Sequence, residues 1–279
     1  YVTLSGKGFE GRSTPLSFSL KITVVSIFAA WVGFNALLYG SIFYGSVMQN
    51  WGVNHTFTLQ HYITLFGQGW KNGAIPSLLQ TVLFAVIAAP FTAVSGFLLA
   101  YFFSRHRFFG QKHIEFLTLL SFAVPGTVAG VSYILAFNNV PLYLTGTGAI
   151  IVLSMVTRNM PIGLRAALVN FKQLDPALDE AAYSLKASVF QTLRFITLPL
   201  LKPALLSALV TSFVRAMTTI SAIIFLVTPS TRVATSFILN RVEDGDYGLA
   251  VAYGASLIVL MMLVIGLFSR WVGETKLGR

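Results

Sequence analysis

Residues 22–48 read ITVVSIFAAWVGFNALLYGSIFYGSVM, a run with no charged side chain. A helix that crosses a ~30 Å hydrocarbon layer needs about 20 mostly apolar residues, and this run exceeds that length. Outward from it the pattern recurs. A second run covers 74–103, with Pro90 as an expected kink. A third covers 116–137 and carries Pro125, and a fourth covers 149–164, interrupted by Arg158, Asn159 and Pro161. A fifth covers 203–227 with Arg215 inside it, and a sixth covers 249–268. Six spans predict an all-α, polytopic membrane protein.

Composition points the same way. Of the 279 residues 55% are hydrophobic and only 10% charged, against about 25% charged in a soluble domain. Mean hydropathy is +0.75. The 24 Phe and 10 Tyr suit a surface that faces lipid. A net charge of +10 would suggest nucleic acid on a soluble chain. Here the basic residues fall between apolar runs, so they read as topology signals and no nucleic-acid partner is expected.

Basic residues mark cytoplasmic loops. The N-terminal segment carries Lys7, Arg12 and Lys21, and the loop after the second span carries Arg105, Arg107 and Lys112. The long segment after the fourth span adds Arg165, Lys172, Lys186, Arg194 and Lys202, and the tail adds Arg270, Lys276 and Arg279. Those 14 stand against three on the other side, Lys71, Arg232 and Arg241. Both termini are therefore expected in the cytoplasm. Residues 1–20 are polar and Gly/Ser-rich, with no apolar core ahead of a cleavage site. They read as a cytoplasmic linker from something upstream, before a transmembrane domain over 21–279. The outer segment 49–73 spaces Trp51, Phe57, Leu59, Tyr62, Phe66 and Trp70 among polar residues, which suits either a short interfacial helix or a folded loop.

Signs of catalysis are missing. No stretch fits the phosphate-cradling G-x-x-x-x-G-K-[ST] pattern, so ATP hydrolysis is not expected in this chain. Gly6, Gly8 and Gly11 resemble a glycine-rich loop, but no strand precedes them. His55, His61, His106 and His113 form no H-E-x-x-H pair, and the chain has no Cys. No catalytic residue, resident metal or cofactor is expected.

The informative cytoplasmic stretch is 174–203, LDPALDEAAYSLKASVFQTLRFITLPLLKP. Asp175 before Pro176 signals a helix start, and Asp179 and Glu180 then lie near the positive end of its dipole. Ser188 with Gln191 forms a capping box, so a second helix starts there. The two short helices meet near Ala187. Ala181, Ala182 and Leu185 form the predicted apolar stripe, while Asp179, Glu180 and Lys186 stay polar. Pro199 and Pro203 mark re-entry into the membrane.

Glu180-Ala181-Ala182, followed by Ile196 and Leu198-Pro199, matches the EAA motif of bacterial ABC importer permeases, and the chain resembles a type I permease of that superfamily. The motif expects Gly where this chain has Lys186, which puts the usual turn in doubt. The stretches FAVPGTVAGVSYILAF (122–137), FVRAMTTISAIIFLV (213–227) and NRVEDGDYGLAVAY (240–253) resemble permeases of ferric-iron importers fed by a periplasmic binding protein. Permeases for 2-aminoethylphosphonate look similar, and that solute stays open beside iron. In the ferric group two homologous halves commonly share one polypeptide, and TLSGKGFEGRS looks like the connector before the second half. The resemblance implies that residues 174–199, with Asp179, Glu180, Ala181, Ala182, Lys186 and Ala187, dock on a cytoplasmic ATPase dimer that binds ATP and Mg. It also implies a second permease half or subunit as partner.

Other classes fit less well. A membrane scaffold has no use for an ATPase-docking hairpin. A secondary transporter would want Asp or Glu inside its spans, and these spans have none. Arg158 and Arg215 do lie within spans, where an unpaired charge costs roughly 2.5–3.5 kcal/mol or more. Backbone carbonyls or polar neighbours are expected to satisfy Arg158. Arg215, followed by Thr218, Thr219 and Ser221, is expected to face a wet translocation path.

Overall fold

The computed structural model describes residues 17–277, apart from residues 68, 71, 72, 107, 172 and 176. The expected linker up to residue 16, with Lys7 and Arg12, lies outside the described residues. So do Lys71, Arg107, Lys172, Pro176 and Arg279.

The chain runs as α1 (Phe18–Ser46), a hairpin of β1 (Met48–Asn50) and β2 (Asn54–Phe57), α2 (Gln60–Gly67) and α3 (Ala74–Arg105). Then come α4 (Gln111–Ala123), α5 (Gly126–Phe137) and α6 (Gly148–Phe171). Two short helices follow, α7 (Ala177–Ser184) and α8 (Val189–Thr192), and a π turn (Leu193–Thr197) leads into α9 (Leu198–Thr218). A 3₁₀ turn (Ile223–Phe225), α10 (Ala234–Glu243) and α11 (Tyr247–Leu277) complete it. The hairpin is antiparallel, pairing Met48 with Phe57 and Asn50 with Asn54.

Four helical stretches among the described residues are long and apolar enough to span a membrane: α1, α3, residues 189–218 and α11. The pair α4–α5 makes a fifth if counted as one broken span, bent by 108°. The fourth expected span, α6, is long enough at 24 residues but too polar by composition. Its position explains this. α6 packs against α3, α9 and α4, with Ile150, Ile151, Met155 and Leu164 fully buried. A helix covered by protein needs less hydropathy than one facing lipid.

The α3–α6 crossing is close because both surfaces are small there. Ala85, Ala88, Ala89, Thr92, Ala93, Gly96 and Ala100 are all buried along α3. A Cβ on Gly96 would lie 2.9 Å from the backbone nitrogen of Leu164. Such small-residue stripes let membrane helices approach backbone to backbone.

Pro161 behaves differently from the sequence expectation. Pro90 and Pro161 both lie inside unbroken helices, so Pro161 does not interrupt the fourth span. Proline removes the donor that the carbonyl four residues earlier would use, and membrane helices tolerate this when a neighbour replaces it. Ser121 Oγ, from α4, shares its proton between the Thr118 carbonyl at 2.9 Å and the Thr157 carbonyl at 3.2 Å. Pro125 is the true break, at the N-cap of α5.

The fifth span also needs correction. The helix stops at Thr218, so Thr219 is its C-cap and Ser221 lies in the turn beyond. That turn rests on α5. A Cβ on Gly126 would come 2.5 Å from Ser221 Cβ, and one on Gly130 would come 2.5 Å from the Ala222 carbonyl oxygen. The G-x-x-x-G spacing of these two glycines is thus a docking groove for residues 221–222. Gly130→Ala should therefore destabilise the folded protein by about 1–3 kcal/mol, since a backbone carbonyl cannot move aside. Gly254→Ala, inside α11 where an added Cβ meets no atom within 4 Å, should be neutral or stabilising by up to about 1 kcal/mol. Thermal unfolding of the two detergent-purified variants checks this, and equal midpoints would refute the groove.

Outside the spans, residues 49–73 combine both expected forms, a hairpin and the eight-residue α2. Tyr62 of α2 donates to Ser46 Oγ at 2.8 Å. The buried Tyr253 hydroxyl of α11 meets the Ala74 carbonyl at 2.8 Å, fixing α11 to the start of α3.

Candidate functional site

The short helices after α6 form through local chemistry. Asp175 Oδ1 accepts from the Ala177 N–H at 2.9 Å, as the start signal predicts. Ser188 Oγ accepts from the Gln191 N–H at 3.3 Å and Gln191 Oε1 from the Ser188 N–H at 2.7 Å, completing the capping box. Between the helices the chain must reverse. Lys186 does so with φ of +59°, in the left-handed region where Gly was expected. The Ala187 N–H reaches the Ala182 carbonyl at 3.0 Å, and the Lys186 N–H reaches Tyr183 at 2.9 Å. That pair of bonds is the Schellman ending. Lys186 therefore keeps the turn, at a cost of roughly 1–2 kcal/mol for a non-glycine residue. Lys186→Gly should raise stability by about 1 kcal/mol, and Lys186→Val should lower it, because a branched Cβ tolerates this region least. Chemical unfolding of both variants provides the check. A more stable Val than Gly variant would contradict the turn assignment.

The expected apolar stripe of α7 is only partly present. Ala182 is buried, but Ala181 is exposed and Leu185 is 84% exposed. The reason is an ion pair that sets which face turns inward. Asp179 Oδ2 lies 2.6 Å from Arg105 Nε, the last residue of α3, with the side chains 26% and 13% exposed. Asp179 and Ala182, three residues apart, share the inner face. Ala181 and Leu185, four apart, look outward. Glu180 is exposed beside them, and Ala187 is half-buried at the turn. Tyr183 and Phe190 are also open, at 75% and 65%. The result is an apolar surface with one outward carboxylate, held on the end of α3.

A second feature lies deeper. A groove of about 370 Å³ runs between α6 and α9, with Arg215, Ser212, Thr211 and Ser207 on α9 and Asn159 and Asn170 on α6. Of the residues expected along a translocation path, Arg215 lines this groove. Thr218, Thr219 and Ser221 do not. Thr218 Oγ1 donates to the Val214 carbonyl at 3.1 Å and Thr219 Oγ1 to the Arg215 carbonyl at 2.7 Å, and Ser221 packs on Gly126. Arg158 points elsewhere too, with Nη1 donating to the Val124 carbonyl at 3.2 Å, at the α4–α5 break. A backbone carbonyl was its expected partner. Thr211 and Ser212 were missed, although their spacing of four and three from Arg215 places them on its face. Arg105 read only as a topology charge, and nothing near it in sequence identifies its partner.

Residues 78–274 match the family described as the inner membrane component of binding-protein-dependent transport systems. The chain belongs to that family. Over 99% of its length it is 61% identical to a ferric transport system permease protein, FbpB, of Actinobacillus pleuropneumoniae, covering 40% of that protein. It is 64% identical over 88% of its length to a putative ferric transport system permease protein, FbpB 1, of Haemophilus influenzae, covering 42% of it. The chain thus spans about two fifths of the length of these relatives. Against the sulfate transport system permease protein CysT of Salmonella typhimurium it is 30% identical over 71% of the chain and 76% of that protein. In fold it resembles a bacterial ABC transporter involved in alginate import, at a TM-score of 0.73, with 16% identity, 91% of this chain and 95% of the other covered. As a family member it is a membrane permease component, with the helical architecture of ABC importer permeases.

Proposed function

We propose that the chain forms the translocation path of an ATP-driven importer for ferric iron delivered by a periplasmic binding protein. The observation that carries this is the 61% identity to a ferric transport permease along nearly the whole chain, about twice that to the sulfate permease. In this reading a cytoplasmic ATPase dimer, holding ATP and Mg, docks on α7 and α8. Tyr183, Leu185 and Phe190 support it, because large apolar side chains exposed on short, charge-flanked helices mark a protein contact. A second permease half completes the channel. The basic residues support a cytoplasmic position for α7, α8 and both termini, and a reporter fused after Arg279 reads that orientation. The test is uptake of ⁵⁵Fe(III) by proteoliposomes holding the whole permease, its ATPase and its binding protein. ATP-dependent accumulation is expected. Uptake of 2-aminoethylphosphonate with no ⁵⁵Fe uptake would replace the reading.

A further inference from the structure

The groove between α6 and α9 holds a fixed cation without a fixed anion. Arg215 Nε is buried and has no hydrogen-bond partner among the described residues. A guanidinium keeps its charge at any working pH. None of the residues lining the groove is an acid. The polar neighbours are partly committed. Asn159 and Asn170 each donate from Nδ2 to the carbonyl four residues back, Met155 and Ala166, both at 2.8 Å. Thr211 Oγ1 donates to the Ser207 carbonyl at 2.9 Å. With about 1.5 Å of rise per residue, Arg215 lies roughly 18 Å along α9 from Pro203, which lines the opposite end of the groove. The charge therefore stands at the far end of the groove, in the last turn of α9.

A bare ferric ion suits this groove poorly. It is a hard cation that seeks carboxylate or phenolate oxygens, and a fixed positive charge nearby repels it. A carboxylate or phosphate suits it well, because the guanidinium fork matches both in a bidentate way. We infer that the groove is an oxyanion site, and that iron passes through this chain as a net-anionic complex whose outer carboxylate or phosphate oxygens pair with Arg215. The identity of the cargo rests on the ferric reading above. The anion site rests on Arg215.

The test uses the whole importer in proteoliposomes, with ⁵⁵Fe supplied alongside ¹⁴C-citrate in one arm and ³²P-phosphate in the other. One label is expected to enter with iron in a fixed ratio, and which one enters distinguishes a carboxylate from a phosphate source. Arg215→Gln should lower uptake of iron and label together by at least about tenfold. Arg215→Lys should retain part of it, since the charge stays and the fork is lost. Iron that accumulates with neither label, or wild-type uptake by Arg215→Glu, overturns the proposal. Should the wild type move no iron, the ferric reading fails. The site is then judged by equilibrium dialysis of ¹⁴C-citrate and ³²P-phosphate against the purified importer. Binding that is absent, or unchanged in Arg215→Gln, sinks it. Should Arg215→Gln fail to assemble, Arg215→Lys decides, with weakened label uptake expected and undiminished uptake contrary.

Discussion

Glu180→Lys is expected to abolish ATP-driven uptake while the protein still inserts and folds. Glu180 is exposed on the first turn of α7, and no ion pair forms on it among the described residues. Inside the chain its role is small. A lysine at that end of a helix loses a dipole interaction of about 0.3–1 kcal/mol. Across a docked partner the change is much larger, because reversing a charge in a matched interface costs about 2 kcal/mol or more, a loss of at least ~30-fold. Thermal unfolding should therefore move little and uptake should collapse. Wild-type uptake by the purified, reconstituted variant would remove α7 from the coupling surface. An equal collapse of the unfolding midpoint would make Glu180 a structural residue instead.

What was legible in the sequence follows the range of each interaction. The capping box of Ser188 and Gln191 could be read because its partners lie three residues apart and need no tertiary context. The reversal at Lys186 was visible only as a departure from the expected Gly, since the Schellman bonds that hold it are backbone bonds. The spans followed from hydropathy wherever they face outward, as in α1 and α11. α6 is the informative exception. Arg158, Asn159 and Pro161 look like interruptions in one dimension, yet Val124, Met155 and Ser121 satisfy the groups involved in three dimensions. The end of the fifth span was misread for a related reason. Residues 219–227 are apolar enough to continue a helix, but the groove of Gly126 and Gly130 captures Ser221 and Ala222 in a turn. Pairings across many residues left no trace in sequence, and Arg105 with Asp179 is the plainest case.

That pair carries the second large effect. Arg105 ends the helix that forms the centre of the bundle, and Asp179 belongs to the short helix that projects from it. If a partner moves α7, the Arg105–Asp179 contact is the direct ionic route by which the push reaches α3. The pair is mostly but not fully shielded from water, so its worth lies between the ~0–1 kcal/mol of surface pairs and the ~3–5 kcal/mol lost on breaking buried ones. About 1–3 kcal/mol is expected from Arg105→Glu, which sets two carboxylates side by side. The consequence for function should exceed that for stability. ATP hydrolysis by the assembled importer should continue while uptake per ATP falls by at least about tenfold, since the push no longer has a stiff path into the spans. The double variant Arg105→Asp with Asp179→Arg restores opposite charges at the same place and should recover much of the coupling. This rescue separates a strut from a mere stabilising contact, because loss of stability alone would lower hydrolysis and uptake together. Uptake per ATP that stays at the wild-type value in Arg105→Glu would show that the motion enters the bundle elsewhere, and the continuous helical segment from Val189 to Thr218 would be the route left to it.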